Sequence, residues 1–527
     1  MGVGKTAIVL AAVAASTVLH ADVELKCPRF GALFYGGETV ELEFRKVGLA
    51  LGGGTTDVNR VSVSDWRGNE VYSWIPDGDA GIFRISPADL KNRFGAFKAA
   101  FVGRLPDGRS VDLAKTWFAR LSDREVKPVK WIGTGIHGYW RDKRRFELMR
   151  AAGIGTVRLD AFWRECEREK GVYTMPHPEF LPDLDAAIAN GILINLDLPS
   201  DNKPVYPECP LDPDARARFA AWIAKALPQV SIFETFNEPP SHFYKQYLDD
   251  KGTWYVRFKE FSDKTKEAIR AVRPDADILV CAECEEKCLR RELKLGVAGK
   301  DDCVSFHPYV HTADPRPERE KWFWLDEGAE IRKLMAENGG ATRIRLTEVG
   351  WTTFGVDEHG NADYWPVAGI YPGVSYVAQA QYLIRAWIIA RQLGVECLVQ
   401  YDFSDDGPRR NYTEHNFGLL FTDMTPKPSF AAVAFMARLL GDAEPTGLLD
   451  SVTDKAEYRV YGFRAKNGKN IYAMWAVEDE INIHIKADLP PDAVGGTVYD
   501  LMGNARQLDP ALKSVELSER PYYVVGK

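Results

Sequence analysis

Between Lys127 and Leu440 the chain alternates two hydrophobic periods. Short apolar runs, suited to strands buried on both faces, are separated by longer stretches whose apolar residues recur every three or four positions, the spacing of an amphipathic helix. The runs predict strands near Trp131 to Gly135, Thr156 to Leu159, Leu193 to Leu196, Ile232 to Phe236, Ile278 to Cys281, Cys303 to Phe306, Ile344 to Thr347 and Cys397 to Tyr401. Helices are predicted over Ala215 to Ala226, Phe258 to Val272, Ala329 to Asn338 and Ala378 to Leu393. Eight strands interleaved with helices define an α/β domain and favour a closed (β/α)8 TIM barrel over residues 127–440. The rival, an open doubly wound sheet, would carry a glycine-rich phosphate loop after its first strand, and Gly133-Thr134-Gly135-Ile136-His137-Gly138 matches that loop only in part.

On both sides of this region the period shortens to two. Val40-Glu41-Leu42-Glu43-Phe44-Arg45 and Val61-Ser62-Val63-Ser64-Asp65-Trp66 alternate apolar with polar and are broken by Gly52-Gly53-Gly54 and Asp77-Gly78-Asp79, which predicts an N-terminal, Ig-like β-sandwich over residues 22–126. Tyr458-Arg459-Val460-Tyr461-Gly462-Phe463 and Ile471-Tyr472-Ala473-Met474-Trp475 flank an Asn467-Gly468 turn signal, and they predict a second, smaller β-sandwich over 441–527. Residues 1–21 read as a signal peptide: Lys5 near the start, an apolar run from Ala7 to Leu19, and Ala21 before Asp22. The run is short for a bilayer span, so the expected location is secreted or periplasmic, with no membrane span after cleavage.

Composition narrows the partners. Of 527 residues, 67 are Lys or Arg and 75 are Asp or Glu, a net charge of −8 with no long basic run, so a nucleic-acid partner has no electrostatic support. The 12% aromatic content, with 14 Trp, suits a cleft that binds sugar faces. Eight cysteines permit disulfides without requiring any. Cys281, Cys284 and Cys288 are spaced to share one helix face, but no second cysteine or histidine pair follows, so neither a metal nor a cofactor is expected.

Two carboxylates carry the candidate chemistry. Glu238 follows the fourth strand and Glu348 ends the seventh, 110 residues apart, about three βα units in a barrel. Strand ends in a barrel converge on one face, where such a pair can flank a glycosidic bond. Phe233-Glu234-Thr235-Phe236-Asn237-Glu238-Pro239 resembles the Asn-Glu-Pro acid/base motif of glycoside hydrolase clan A, and Leu346-Thr347-Glu348-Val349-Gly350-Trp351 resembles its nucleophile strand. Arg158 with Trp163 and the run from Glu167 to Tyr173, Phe306-His307-Pro308-Tyr309, Tyr401-Asp402-Phe403 and Asn416-Phe417-Gly418 extend the likeness to family 39 and its family 5 relatives over about residues 125–440.

The resemblance implies a retaining hydrolase of β-linked oligosaccharides or polysaccharides, with Glu238 as acid/base and Glu348 as nucleophile. Glu238 then needs a raised pKa, which burial and Glu348 would supply, and Arg158 would hold Glu348 ionised. Arg158 could instead be the structural partner of Glu234. Asn237 would donate to the sugar 2-hydroxyl, and His137, His307 and Tyr309 would line the mouth. Trp140, Trp351 and Tyr401 could stack on a sugar or simply pack, and Asp402, Asp405 and Asp406 could recognise hydroxyls or be loop charges. The alternatives are a non-catalytic carbohydrate-binding protein on the same barrel and a metal-dependent hydrolase, for which His137 and His307 supply too few ligands. Sugar identity, the site of cleavage along the glycan and oligomeric state are not written in these motifs.

Overall fold

The computed structural model describes residues 22–47, 60–104, 110–124, 126–137, 142–240, 254–310, 316–319, 325–355, 373–449, 458–477 and 485–527. The leader, Trp140, the Gly52-Gly53-Gly54 break and the loop from 356 to 372 lie outside them. Eight strands close into a parallel barrel: Val129–Gly135, Ile154–Asp160, Leu193–Asp197, Ile232–Glu234, Asp277–Glu283, Cys303–Phe306, Arg343–Val349 and Leu398–Gln400. They are barrel strands one to eight below. Each pairs in parallel with its neighbours in sequence, and strand eight returns to strand one through Leu398 opposite Ile132. All eight runs of apolar residues are therefore strands, and the open-sheet alternative falls.

Local sequence explains the joints. Strand two crosses strand one at Gly155, where a Cβ would lie 2.5 Å from the Val129 carbonyl carbon, so only glycine lets the two backbones approach. The helix Pro213–Ala226 starts with Asp212 accepting from the Ala215 N–H at 2.6 Å and Pro213 in the first turn, a well-formed N-cap. Ser375 caps Tyr376–Gln392 in the same way. That helix is buried almost all round, because the barrel lies on one side and the C-terminal sheet on the other, with the Gln392 carboxamide donating to the Gly462 carbonyl at 2.8 Å.

Before the barrel, a three-stranded antiparallel sheet (Asp22–Lys26, Val40–Val47, Ala80–Ile85) faces a five-stranded one (Leu33–Tyr35, Ser110–Leu121, Gly95–Arg104, Arg60–Asp65, Glu70–Trp74) across a core containing Val40, Leu42, Val61, Val63, Phe97 and Phe118. After it comes a six-stranded sheet with the two-stranded pair Ile485–Asp488 and Ser514–Leu517. Trp117 and Leu33 on one side and Phe463 and Trp475 on the other join the barrel's own apolar core, so the flanking sheets are docked on the barrel. Glu318 ties one such joint, accepting from Arg385 of the barrel helix at 2.7 Å and from the Trp475 indole at 2.7 Å, all three buried. No helix among the described residues is long and apolar enough to cross a membrane.

Candidate active site

Arg158, on barrel strand two and 6% exposed, is the hub of the strand ends. Its guanidinium donates to Glu234 of strand four at 2.6 Å, to Glu348 of strand seven at 2.5 Å and to the Asn237 carbonyl oxygen at 2.8 Å, and it lies 3.0 Å from Asp197 of strand three. Both readings of Arg158 hold together: it buttresses Glu234 and it braces Glu348. One cation cannot neutralise three carboxylates. Burial pushes the Asp197 carboxyl well above the usual carboxylate range in spite of Arg158. The Tyr309 hydroxyl donates to the second Glu348 oxygen at 3.1 Å.

Glu238 sits just past strand four in the left-handed region, φ 47°, its N–H held by the Ala282 carbonyl at 3.1 Å. His307, fully buried at the end of strand six, places Nδ1 3.0 Å from the Glu238 carboxyl and Nε2 3.1 Å from the Thr347 hydroxyl. Thr347 donates its single proton to Glu234 at 2.7 Å, so it must accept from His307 Nε2–H. Nδ1 and Glu238 then share one proton, either as imidazole and carboxylic acid or as imidazolium and carboxylate. Burial opposes a charged ring, but the fields of Glu348 and Glu238 outweigh it and raise the His307 pKa. One oxygen of Glu238, His307 Nδ1 and one oxygen of Glu348 all lie within 4.8 Å of one another. The Glu238 side chain is 29% exposed against 13% for Glu348, so Glu238 is the member of the pair open to solvent.

A second cluster forms across strands one and eight. His137 Nδ1 lies 3.0 Å from Asp406 and 3.7 Å from Asp402. Burial works against its charge, yet the Asp406 hydrogen bond and the fields of Asp402 and Asp160 raise its pKa to about 10, so it is an imidazolium at neutral pH. Tyr401 donates to Glu414 at 3.2 Å and sets its ring edge-on to Phe417, Tyr309 and His137. Asp402 is buried and accepts from the Phe403 N–H, which makes it a partner of His137 and not an open hydroxyl receptor. Asp405 is a structural charge, paired with Lys427 at 2.7 Å beneath the loop.

Two expectations, at Trp351 and at the three cysteines, need correction, and other residues find their places. Trp351 offers no sugar platform: it is 3% exposed and packs against Tyr382, because Gly350 lies so close to the Tyr401 carbonyl that the chain turns into the core. The run from Glu167 to Tyr173 braces its own loop, with Glu167 accepting from Trp163, Tyr206 and the Gly171 N–H. Cys281, Cys284 and Cys288 do not share a helix face, since Cys281 ends in strand five and Cys288 lies in the helix Glu286–Lys294. Asn237 accepts from Arg158 through its carbonyl oxygen, which fixes which end of the amide Arg158 uses. Thr347, Asp197, Asp160 and Glu414 were not anticipated. Thr347 neighbours Glu348, and in a regular strand the two would face apart, but pairing with strand eight shifts between Leu346 and Val349 and lets both serve the site.

Among the described residues, two triads bring possible metal ligands together, Glu238 with His307 and Glu348, and His137 with Asp402 and Asp406. Neither suits a divalent cation as arranged. Arg158 already presses a positive charge on Glu348, and the His137 ring carries a proton at the nitrogen that would have to ligate.

No family model matches the chain, and no curated protein matches it in sequence. Among solved structures, a family 39 glycoside hydrolase from the gut symbiont Bacteroides cellulosilyticus WH2 is similar over 95% of this chain and 100% of its own, with a TM-score of 0.70 at 21% identity. A monomeric β-xylosidase from Caulobacter crescentus CB15 matches 76% of this chain and 97% of its own at 15% identity and a TM-score of 0.48. A glucosidase from Croceicoccus marinus matches 76% and 96% at 12% identity and the same score. The protein thus has the fold of the barrel-type glycoside hydrolases that its motifs resemble, with β-sheet modules on both flanks.

Proposed function

We propose that the protein is a retaining glycoside hydrolase of β-linked glycans. The observation that carries the reading is the proximity of Glu238 and Glu348, with an oxygen of each inside a 4.8 Å circle. Double displacement works with carboxyls about 5–5.5 Å apart, whereas inversion needs about 6.5–9.5 Å to admit a water. Glu348, held by Arg158 and Tyr309, attacks the anomeric carbon while Glu238 gives the shared proton to the departing oxygen. Water then enters on the more open Glu238 side, loses a proton to Glu238 and releases the sugar with its configuration kept. With its carbonyl oxygen taken by Arg158, Asn237 uses its NH2 group to donate to the sugar 2-hydroxyl. The β-linkage rests on the resemblance of the two motifs. Export on a leader over residues 1–21 belongs to the same reading, and N-terminal sequencing of the mature protein tests it.

Glu348→Ala should lose at least about 1,000-fold in kcat on any aryl β-glycoside the wild type cleaves, because the covalent step loses its nucleophile. Glu348→Gly with azide should form the glycosyl azide of inverted, α configuration. An active Glu348→Ala enzyme removes the reading. Tight glycan binding without cleavage by the wild type would favour a carbohydrate-binding protein instead.

A further inference from the structure

Behind strand five lies a pair of carboxyls that the proposed reaction does not use. Glu283 ends the strand, Glu292 lies on the adjoining helix Glu286–Lys294, and both are fully buried. The two carboxyls meet each other and Glu292 also meets the Cys281 thiol, Cys284 and Cys288 lie within electrostatic reach, and no cation or backbone N–H among the described residues bonds to any of the four carboxyl oxygens. Two cations among the described residues act on this cluster and both are committed elsewhere: Lys266, on the helix Trp254–Val272, to the Val297 carbonyl at 2.6 Å and Asp302 at 3.1 Å, and Lys287 to Glu285 at 2.6 Å. Glu285, at the start of the helix, adds a further negative field at Cys284 and Cys288.

The backbone beside the pair carries the active site. Cys281 and Ala282 have φ of 83° and 50°, two consecutive left-handed residues without glycine, and the pairing with strand six slips between Cys281 and Glu283. The bulge is pinned by the Ala282 N–H donating to Ser305 at 3.1 Å. From it the Ala282 carbonyl accepts from the Glu238 N–H at 3.1 Å, and the Glu283 carbonyl accepts from the His307 N–H at 2.8 Å. The proton-sharing residues Glu238 and His307 therefore hang on two adjacent carbonyls of one strained bulge, the second of them the carbonyl of Glu283 itself.

We propose that Glu283 and Glu292 are positioning residues that hold Glu238 and His307 in register only while the pair keeps its protons, and that its ionisation disables the site. The inference rests on the glycosidase reading given above. Charging the pair buries negative charge that only the partner carboxyl and the Cys281 thiol can answer, with no cation bonded to it, and the readiest relief is entry of water between strand five and the helix, which moves the bulge and both residues hung on it. Burial pushes the Glu292 carboxyl up to about 8 and Glu283 well above the carboxylate range, which puts the transition in a measurable window.

The test uses 2,4-dinitrophenyl β-glycosides of glucose, xylose and galactose, whose leaving group needs no proton, so that titration of Glu238 does not shape the alkaline limb of kcat/KM. Wild-type kcat/KM should fall about tenfold by pH 9, one unit above the ionisation. Glu292→Gln should fall less than about twofold over the same range while matching the wild type within about threefold at pH 6. Superimposable profiles overturn the proposal, and Glu283→Gln reads the same limb if Glu292→Gln does not fold. Thermal unfolding needs no substrate. Both carboxyls have folded pKa values above the unfolded one, so the wild type loses stability as pH rises from about 4.5 to about 8, a loss the amide variants should share less. A melting difference between wild type and Glu292→Gln that is the same at pH 5 and pH 9 also overturns the pair. If the wild type cleaves no glycoside, the glycosidase reading fails while the melting comparison still decides the carboxyl pair.

Discussion

Arg158→Met removes the one cation at the centre of the strand ends while keeping most of the apolar stem. In the native protein that cation lies 2.6 Å from Glu234, which is fully buried, and 2.5 Å from Glu348. Without it Glu234 keeps only the hydrogen bond from Thr347 and Glu348 that from Tyr309, and the cation that both carboxyls share is gone. Removing one partner of a buried ion pair costs about 3–5 kcal/mol, because the other charge is left without an answer. The cost should depend on pH in a definite sense. What destabilises the variant is buried negative charge that nothing balances, and acid removes that charge, so the penalty should shrink in acid and grow as pH rises. Calorimetric melting of the wild type and the variant at pH 5 and pH 8 reads this directly, and the drop in Tm should be clearly larger at pH 8. Arg158→Lys keeps a charge but loses the planar fork that reaches three partners, and should fall between the two. A penalty below about 1 kcal/mol, or one equal at both pH values, would refute the view of Arg158 as the cation that makes this carboxylate cluster tenable.

Two further outcomes follow from the same geometry. His307→Gln keeps a donor for Thr347 but cannot hold the shared proton, so kcat/KM on alkyl glycosides should fall about 100-fold or more, and much less on dinitrophenyl glycosides; equal losses on both would show that His307 has no part in proton transfer. At Gly350 an added Cβ would lie 2.1 Å from the Tyr401 carbonyl oxygen, so Gly350→Ala must shift the backbone between Glu348 and Tyr401. It should lose about 1–3 kcal/mol of stability together with activity, and an unchanged Tm speaks against that close contact.

The barrel was legible because strands covered on both faces and helices covered on one leave different periods in the chain. Every strand core, from Trp131 to Tyr401, sits where its apolar run placed it, with boundaries moved by a residue or two. Glu238 and Glu348 stood out because Asn-Glu-Pro and Thr-Glu-Val-Gly put an acid where a strand gives way to a loop. Trp351 misled for a local reason: an aromatic just past a strand end reads as a platform until the close approach at Gly350 is seen to draw it inward.

The sequence by itself determined what depends on neighbours along the chain: the eightfold alternation, and two acids, Glu238 and Glu348, set where a strand gives way to a loop. The tertiary structure alone decided what depends on side chains far apart in sequence and close in space. Arg158 serves Glu234 and Glu348 at once, Thr347 forces the direction of the His307 hydrogen bond, and Glu283 meets Glu292 beneath the bulge. None of these follows from spacing, because barrel closure brings strands two, four, six and seven to one face, and protonation there is set by burial and by the charges that closure gathers.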